Sequence, residues 1–354
     1  MTGKVGHAAL SVDNDLGAYD AYVSASATAT PFHRRAWGDA IHASCGHESH
    51  YLVAKRGGTV AGILPLTEIR SMLFGKSLVS SGFAVGGGPL ADDADALTAL
   101  DDAAWQLAGA TGIDVLEYRG PSDPVSDMSH VGWARKTGVY AGFARAIEAD
   151  SDANLKAIPR KQRAEVRKSL KLDLTVRIAS DTQALDEHYN IYATSVRNLG
   201  TPVFPRALFR EMLARFGEDA DILTVSKDDA PIASVFSFYH GGTVYPYWGG
   251  GTFAARGLKA NEHMYWMLME HARKRGCTAF DFGRSKVGTG PYSYKKNWGF
   301  EPQPLTYEYR LAPGAEMPDL NPNSPKFKAM TEIWQRLPLW IANRVGPLVA
   351  RNLG

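Results

Sequence analysis

The chain has 354 residues, of which 45% are hydrophobic and 21% charged, and this composition excludes a disordered protein. Its length exceeds what one compact core accommodates, so we expect two domains. The net charge of +2 excludes a nucleic-acid binder that acts through its whole surface, and any basic site must be local. Cys45 and Cys277 form no zinc or disulfide pattern, which is typical of a reducing compartment. We therefore expect a cytoplasmic protein without a metal site or a tightly bound cofactor.

A hairpin pattern occurs twice along the chain. Residues 52–56 and 60–64 are two apolar strand-like runs joined by a Gly-Gly turn, and residues 223–227 and 232–236 repeat this form around an Asp-Asp turn. Two strands joined by a short turn of this composition predict a β-hairpin. The second hairpin lies in a long segment, residues 230–255, without Asp, Glu, Lys or Arg. Its internal glycines and Pro246 exclude a membrane-spanning helix and favour buried strands.

A helix that ends in glycine and runs into a buried strand also occurs twice. Gly112 precedes the strand 113–118 and Gly276 precedes the strand 277–282, and an acidic residue stands one position before each strand ends. Because the two repeated motifs keep their order, we expect a duplication of domains rather than a solenoid of short repeats. The predicted fold class is α+β, with two tandem layered domains that contain mixed β-sheets. The predicted boundaries are residues 1–148, 149–312 and a helical tail at 313–354.

The second copy is predicted in more detail. Its expected elements are a charged helix at 159–171, a strand at 174–178, helices at 182–198 and 206–216, the buried hairpin, a helix at 259–275, a strand at 279–283, a short lysine-rich helix and a closing strand at 307–311. The charged helix has six basic residues, among them Arg160, Lys161, Arg163 and Arg167, against the single acid Glu165. Such a helix suits a tRNA backbone, a diphosphate or an anionic membrane, although a solvated charged face is the alternative.

The tail combines basic and apolar residues. Lys326, Lys328, Arg336, Arg344 and Arg351 oppose Glu332, and the apolar residues include Trp334 and Trp340. A basic amphipathic helix with tryptophans is able to lie on a membrane, so we expect either peripheral contact with the inner face of the membrane or docking onto the first domain.

Residues 281–286 (Asp-Phe-Gly-Arg-Ser-Lys) and 292–300 (Tyr-Ser-Tyr-Lys-Lys-Asn-Trp-Gly-Phe) resemble the DFG-x-S strand and the F-K-x-x-W/F-G turn of the FemAB family. Pro31-Phe32-His33, Trp37 and Gly46 resemble the N-terminal domain of that family. The segments 160–171 and 334–354 resemble FemAB-like proteins of bacterial exosortase/PEP-CTERM systems. The resemblance implies two tandem GNAT-like domains, the second of them BioF2-like. It also implies transfer of an aminoacyl group from tRNA, or of an acyl group, to an amine of a cell-envelope or exopolysaccharide precursor, a small-molecule or lipid-linked acceptor.

Two alternatives remain open at this point. The first is an acetyltransferase that uses acyl-CoA, although residues 249–257 do not satisfy the R/Q-x-x-G-x-G/A pyrophosphate signature. The second is a scaffold of an export system that kept the fold without catalysis.

Acyl transfer to an amine requires a group that stabilises the oxyanion and a group that removes a proton. Lys295 matches the lysine of the F-K turn and is the predicted oxyanion donor. Asp281 is the predicted base, and an ion pair with Arg284 is its structural alternative. The resemblance also implies substrate contacts for Arg284, Ser285 and Tyr294.

The glycine-rich segment 249–257 is the other candidate for binding. With Arg256 and Lys259 it opens the predicted helix at 259–275, and glycine loops at helix N-termini bind phosphate. A turn that requires positive φ angles is the alternative. Tyr247 and Trp248, just before it, are predicted to line a cleft, with core packing as their alternative.

Overall fold

The computed structural model describes residues 10–71, 75–120, 130, 132–318 and 325–352, and for residues 325–329 it describes the backbone alone. The chain divides into two compact units. The first comprises the described residues up to Thr137 together with Leu305–Pro318, and the second comprises Gly138–Pro304 together with the described part of the tail.

The first unit is built around a mixed sheet. Its elements are β1 (Leu10–Asp13), α1 (Leu16–Ala25), α2 (Arg35–Cys45), β2 (Ser49–Arg56), β3 (Thr59–Ser71), β4 (Gly75–Ser80), β5 (Leu90–Ala91), α3 (Ala94–Ala110), β6 (Val115–Arg119) and the first half of β7 (Ala134–Gly142). The strand order is β1-β2-β3-β4-β6, followed by a late strand, β15 (Gln303–Leu311), and β7, with β5 paired to β3. Helix α3 covers one face, where its alanines and leucines pack on Leu64, Leu78 and Leu116.

The second unit contains a six-stranded sheet. Its elements are β8 (Ala144–Ala146), α4 (Ser151–Ala157), α5 (Arg160–Ser169), β9 (Thr175–Ala179), α6 (Thr182–Asn198), α7 (Arg206–Phe216), β10 (Ala220–Lys227), β11 (Ala230–His240), β12 (Thr243–Gly251), α8 (Phe253–Gly257), α9 (Ala260–Lys274), β13 (Ala279–Asp281), β14 (Ser285–Lys286), α10 (Gly290–Asn297), α11 (Pro325–Arg336) and α12 (Leu339–Ala350). The strand order is β8-β13-β12-β11-β10-β9. Strand β14 pairs with the second half of β7, where Ser285 faces Ala141.

Local sequence signals explain where the helices begin and end. The carboxylates of Asp93 and Asp181 accept hydrogen bonds from the third residue of α3 and α6, at 2.9 Å each, and so satisfy a free N–H group of the first turn. Gly112 and Gly276, after α3 and α9, have φ angles of 65° and 84°, which favour glycine because it has no Cβ. These positions are the helix–glycine–strand joints that the sequence predicted.

The duplication is visible in the order of the strands. In each unit an antiparallel hairpin (β2–β3 or β10–β11) is followed by a third antiparallel strand, a helix and a strand that pairs in parallel with the third strand. The parallel pairs are β4 with β6, where Val79 faces Glu117, and β12 with β13, where Val244 faces Phe280. The predicted α+β fold with two mixed sheets is therefore confirmed.

Three details differ from the sequence-based expectations. The strand at 307–311 was expected to close the second domain, but as β15 it pairs with β6 of the first unit, with Tyr307 opposite Arg119. The predicted boundaries at 148 and 312 assume that each domain is one continuous segment, whereas each unit is made of separate segments of the chain. Docking on the first domain was one expectation for the tail, but α11 and α12 pack against α6 of the second unit, while the expected contact with a membrane stays a prediction. Leu170, predicted as part of the buried stripe of α5, is exposed, whereas Val166 is buried.

None of the described helices is long and apolar enough to cross a lipid bilayer. The residues that the structure describes also contain no group of three or more His, Cys, Asp or Glu side chains placed to hold a metal ion. In the histidine-rich segment 42–50, the His42 ring contacts the His47 carbonyl at 3.2 Å, and the His50 ring lies 2.8 Å from Glu68. Both rings are therefore engaged in local hydrogen bonds.

Candidate active site

The sheet of the second unit opens beside Asp281. Strand β13 pairs with β12 only at Ala279 and Phe280, while β12 continues to Gly251 with no partner on that edge among the described strands. On its other edge, β13 remains paired with β8 as far as Asp281. The chain then turns through Gly283, whose φ of 67° suits glycine. Asp281 therefore lies at the point where two parallel strands separate, a common position for a ligand in α/β sheets.

The Asp281 carboxylate lies in a position that favours its protonated form. Burial raises the pKa of Asp281, and the hydrogen bond from the Gly283 N–H (2.8 Å) and the charge of Lys295 oppose this only in part. The charge that acts on Asp281 is that of Lys295 and not that of Arg284, whose guanidinium lies 4.8 Å from the centre of the Tyr140 ring. The structural alternative proposed from the sequence, an Asp281–Arg284 ion pair, is therefore absent between these two described residues. A carboxylate with a raised pKa is a stronger base than an ordinary one.

Lys295 is on α10 and its ammonium group reaches the same turn. Its Nζ donates hydrogen bonds to the carbonyl oxygens of Gly283 (3.1 Å) and Arg284 (2.8 Å). It also lies 5.5 Å from the ring centres of Phe143 and Phe282. Burial lowers the pKa of Lys295 to about 8, although the charge of Asp281 acts in the opposite direction. An ammonium has three N–H donors, so one remains for a substrate oxygen.

Gly283 connects the two candidate catalytic groups. Its N–H donates to Asp281 and its carbonyl accepts from Lys295, so one residue of backbone orients both side chains. The arrangement places a base and a hydrogen-bond donor at the same turn. These are the two functions that attack of an amine on an ester or thioester requires.

The other residues of the motif lie around this turn. Ser285 is buried, and its hydroxyl has no hydrogen-bond partner among the described residues, which leaves it available to a substrate. Tyr294 packs in an aromatic group, with its ring centre 6.0 Å from Tyr265 and 6.4 Å from Phe282. Burial raises the pKa of Tyr294, so its hydroxyl stays protonated. Arg284 is exposed.

Sequence reasoning missed two side chains at this site. Tyr245 on β12 is buried and lies close enough to Asp281 that the carboxylate contributes, after burial, to raising the pKa of Tyr245. Phe143 is buried and forms one of the two aromatic faces beside Lys295. The signal for Tyr245 was its place on the predicted hairpin beside Tyr247. Phe143 stood outside every motif.

The cleft role predicted for Trp248 is corrected by its packing. Trp248 is buried, and its ring centre lies 4.9 Å from Phe209 and 5.4 Å from Phe236, both core residues. Tyr247 is half-buried and packs edge-on against Trp248 at 4.8 Å. The large apolar surface of Trp248 therefore stabilises the core.

The first three glycines of the glycine-rich segment are in a strand. Gly249, Gly250 and Gly251 are the last residues of β12 and none has a positive φ, so these three glycines do not form a turn that requires glycine, and phosphate binding by the segment stays a prediction. Their reason is close packing: a Cβ on Gly249 would lie 2.9 Å from the Tyr265 hydroxyl, and one on Gly250 would lie 2.6 Å from Cβ of Ser195. Small residues are needed here because both faces of the strand are covered.

The basic residues after this segment extend the charged helix. Lys259 forms an ion pair of 3.0 Å with Glu165 of α5, and Glu165 also binds Lys168 at 2.7 Å. Arg256 is exposed and lies 5.9 Å from the Phe253 ring centre. On α5 the exposed side chains include Arg160, Lys161 and Arg167, whereas Arg163 is half-buried and donates to the Lys156 carbonyl at 3.0 Å. The helix and Lys259 therefore form one basic surface.

The first unit has a counterpart of Asp281 that is already neutralised. Glu117 occupies the same position after the helix–glycine joint, but it binds Arg119 at 2.8 Å and both side chains are buried. Tyr309 also donates to it, at 3.3 Å. A carboxylate that is paired in this way is a structural group. Of the two copies, only the second presents an unpaired carboxylate at this position.

Known proteins resemble this chain in the region of the second unit and in the fold of the whole chain. Residues 158–296 match the family described as "Acetyltransferase (GNAT) domain". Among solved structures, FemX is 17% identical with a TM-score of 0.68, and the match covers 82% of this chain and 94% of FemX. A tandem GNAT protein from the clavulanic acid biosynthesis pathway is 15% identical with a TM-score of 0.55, over 87% of this chain and all of that one. No curated protein matches the sequence.

A third solved structure is the C-terminal domain of a putative lysylphosphatidylglycerol synthetase from Agrobacterium fabrum, 14% identical with a TM-score of 0.55. The match covers 84% of this chain and 92% of that domain. At these identities the likeness concerns the fold. The family match lies within the second unit. The fold of the chain is similar to those of FemX and of the tandem GNAT protein, in agreement with the two tandem GNAT-like domains that the sequence motifs predicted.

Proposed function

We propose that this protein is an N-acyltransferase that moves an aminoacyl or acyl group onto the amine of a cell-envelope or exopolysaccharide precursor. The observation that supports this most is the joint orientation of Asp281 and Lys295 by Gly283 at the opening of the sheet. The GNAT-domain match over the same region supports the reaction class. The association with an exosortase/PEP-CTERM system remains a prediction from sequence resemblance.

The proposed reaction is attack of the acceptor amine on the carbonyl carbon of an ester or thioester. The amine nitrogen forms a C–N bond and its proton passes to the Asp281 carboxylate. The carbonyl oxygen becomes an oxyanion, which the free N–H of the Lys295 ammonium stabilises. The C–O or C–S bond then breaks, the carbonyl reforms, and the leaving alkoxide or thiolate takes up the proton that Asp281 received, which restores the carboxylate. Because the oxyanion exists only during the reaction, the lysine contributes to the transition state more than to binding.

The charge of the second unit suits a polyanionic donor. Both candidate donors, aminoacyl-tRNA and acyl-CoA, are polyanions, and the basic surface of α5 and Lys259 suits either. Single-turnover transfer with radiolabelled aminoacyl-tRNA and, separately, acyl-CoA distinguishes the two. Transfer from neither donor to any amine would favour the non-catalytic scaffold.

Replacing Lys295 tests the proposed chemistry. Lys295→Met keeps the length of the side chain and removes the donor, so we expect the single-turnover rate to fall by roughly 10²- to 10³-fold with little change in donor affinity. Since burial lowers the pKa of Lys295, the fold disfavours its charge, and the melting temperature should stay the same or rise.

The adjacent lysine is the matched control. Lys296 is exposed, with its Nζ 5.9 Å from the Tyr292 ring, so Lys296→Met should leave the rate within about twofold. Equal rates for the two variants, or greater sensitivity at Lys296, would contradict the assignment.

A further inference from the structure

The tail is fixed to the second unit through its small residues. On α12, Ala342, Gly346 and Ala350 are buried, and a Cβ on Gly346 would lie 3.1 Å from the backbone nitrogen of Val203. On α11, the Gln335 carbonyl accepts a hydrogen bond of 3.1 Å from Arg197 of α6. The orientation of both helices is therefore determined by close packing on the same unit.

The opposite side of the tail is apolar and exposed. Trp340 is 71% exposed, Ile333 is 62% exposed and Leu348 is 58% exposed. Trp340, Arg344 and Leu348 are spaced four residues apart, so they lie along one stripe of α12, opposite the buried small residues. Leu199 at the end of α6 is also exposed, next to Gly200, which contacts Thr331 of α11. Several large apolar side chains exposed together are uncommon on a surface that faces only water.

The charge on this side is mainly positive, since Glu332 is the single acidic residue of α11 and α12. The sequence from Ile333 to Asn352 contains Arg336, Arg344 and Arg351 and no Asp or Glu. Arg336 and Arg344 are exposed beside the apolar side chains. A surface that alternates apolar groups with arginines requires a partner that offers anionic groups throughout and an apolar layer just beneath them. The headgroups and acyl chains of an anionic bilayer meet both requirements.

The length of the helices decides how they would meet such a bilayer. Each has 12 residues, about 18 Å, and Pro338 separates them, so neither is long enough to span the apolar layer. We infer that the exposed face of α11 and α12 binds the surface of an anionic membrane, with Ile333, Trp340 and Leu348 inserted at the level of the headgroups. This surface is independent of the proposed transfer reaction and would hold whichever donor is used.

Flotation of the full chain with vesicles tests this inference. We expect the protein to float with phosphatidylcholine vesicles that contain phosphatidylglycerol and not with phosphatidylcholine alone. The triple variant Ile333→Ser, Trp340→Ser, Leu348→Ser should lower the bound fraction at least about tenfold, because the three apolar side chains would no longer be removed from water on binding. Phe253→Ser is the matched control, since Phe253 is 82% exposed on α8 and should not contribute.

A second variant and a second measurement complete the test. Arg336→Gln with Arg344→Gln leaves the apolar side chains in place and should weaken binding to the anionic vesicles, and added salt should weaken it further. Absence of flotation, or equal flotation of the triple variant and Phe253→Ser, would overturn the inference. So would concentration-dependent dimerisation that the triple variant abolishes, since the face would then bind a second copy of the chain.

Discussion

Lys295 and Lys296 are adjacent in sequence, yet the structure gives them different surroundings. The ammonium of Lys295 is held by two backbone carbonyls between two aromatic faces, whereas Lys296 extends into solvent. Burial lowers the pKa of Lys295 to about 8. A lysine in this state loses its proton near neutral pH, so its function as a donor should depend on pH.

This dependence gives a prediction for the ratio of the wild-type rate to the Lys295→Met rate. The acceptor amine titrates equally in both proteins and cancels from the ratio. Loss of the Lys295 charge raises the pKa of Asp281 in the variant, so the acidic side of the profile reports both groups and the alkaline side reports Lys295. If Lys295 acts as a charged donor, the ratio should fall as the pH rises through about 8. Single-turnover rates between pH 6 and pH 10 (a range of about two units on each side) provide the measurement. A ratio that rises through about 8 would instead make neutral Lys295 the base.

At the scale of elements, α5 provides the basic surface proposed to bind the donor. Its N-terminal half presents arginines to solvent, while Val166 and Ser169 pack inward and Glu165 ties the helix to Lys259. The helix is therefore fixed, and its basic side is available to a partner. A fixed basic surface loses less side-chain freedom on binding than a flexible one.

We expect the triple variant Arg160→Gln, Arg163→Gln, Arg167→Gln to bind tRNA or acyl-CoA more weakly. Each lost phosphate contact removes about 0.7 to 0.9 from the slope of log affinity against log salt concentration. The matched control is Arg206→Gln, Arg210→Gln, Arg215→Gln on α7, which removes the same charge from arginines that are beside Asp186 or Glu211. Titrations at several salt concentrations measure the slopes. An equal loss in the two triple variants would mean that net charge alone matters.

At the scale of the whole molecule, the two units have an acidic residue at the same position of the fold, but its surroundings differ. Glu117 is paired with Arg119 within the first sheet, whereas Asp281 lies unpaired at the opening of the second. The Glu117 carboxylate is held in a buried ion pair, whereas the Asp281 carboxylate is the proposed base. The two positions should therefore respond in opposite ways to loss of charge.

Asp281→Asn should lower the transfer rate by roughly 10²- to 10⁴-fold and leave the free energy of unfolding unchanged or higher, because a buried charge is removed. Glu117→Gln should leave the rate of the folded protein unchanged and lower the free energy of unfolding by about 3 kcal/mol, because Arg119 loses its buried partner. Denaturant titration and single-turnover kinetics on both variants test this. A loss of rate in Glu117→Gln with normal stability would place the chemistry in the first unit.

Much of the second unit could be predicted from sequence because its signals are local. The helices at 182–198 and 206–216 have the predicted bounds, since apolar periodicity specifies both within a few residues and Asp181 caps the first. The duplication followed from repeated hairpins and glycine joints. The motif from Asp281 to Phe300 indicated a site, because it places a carboxylate at a strand end and a lysine on the next helix.

Other features depend on contacts between residues far apart in sequence, and only the tertiary structure decided them. Residues 307–311 read as a strand, but their alternation does not encode that β6 of the first unit is their partner. Three successive glycines suggested a loop, but they lie in a strand. Glycine is needed there because Tyr265 and Ser195 approach β12 from its two faces. Contacts between residues far apart in sequence also decide that Phe143 and Tyr245 lie at the candidate site and that the tail packs on α6. Periodicity determines which residues are buried, and the packing of distant segments determines which residues they contact.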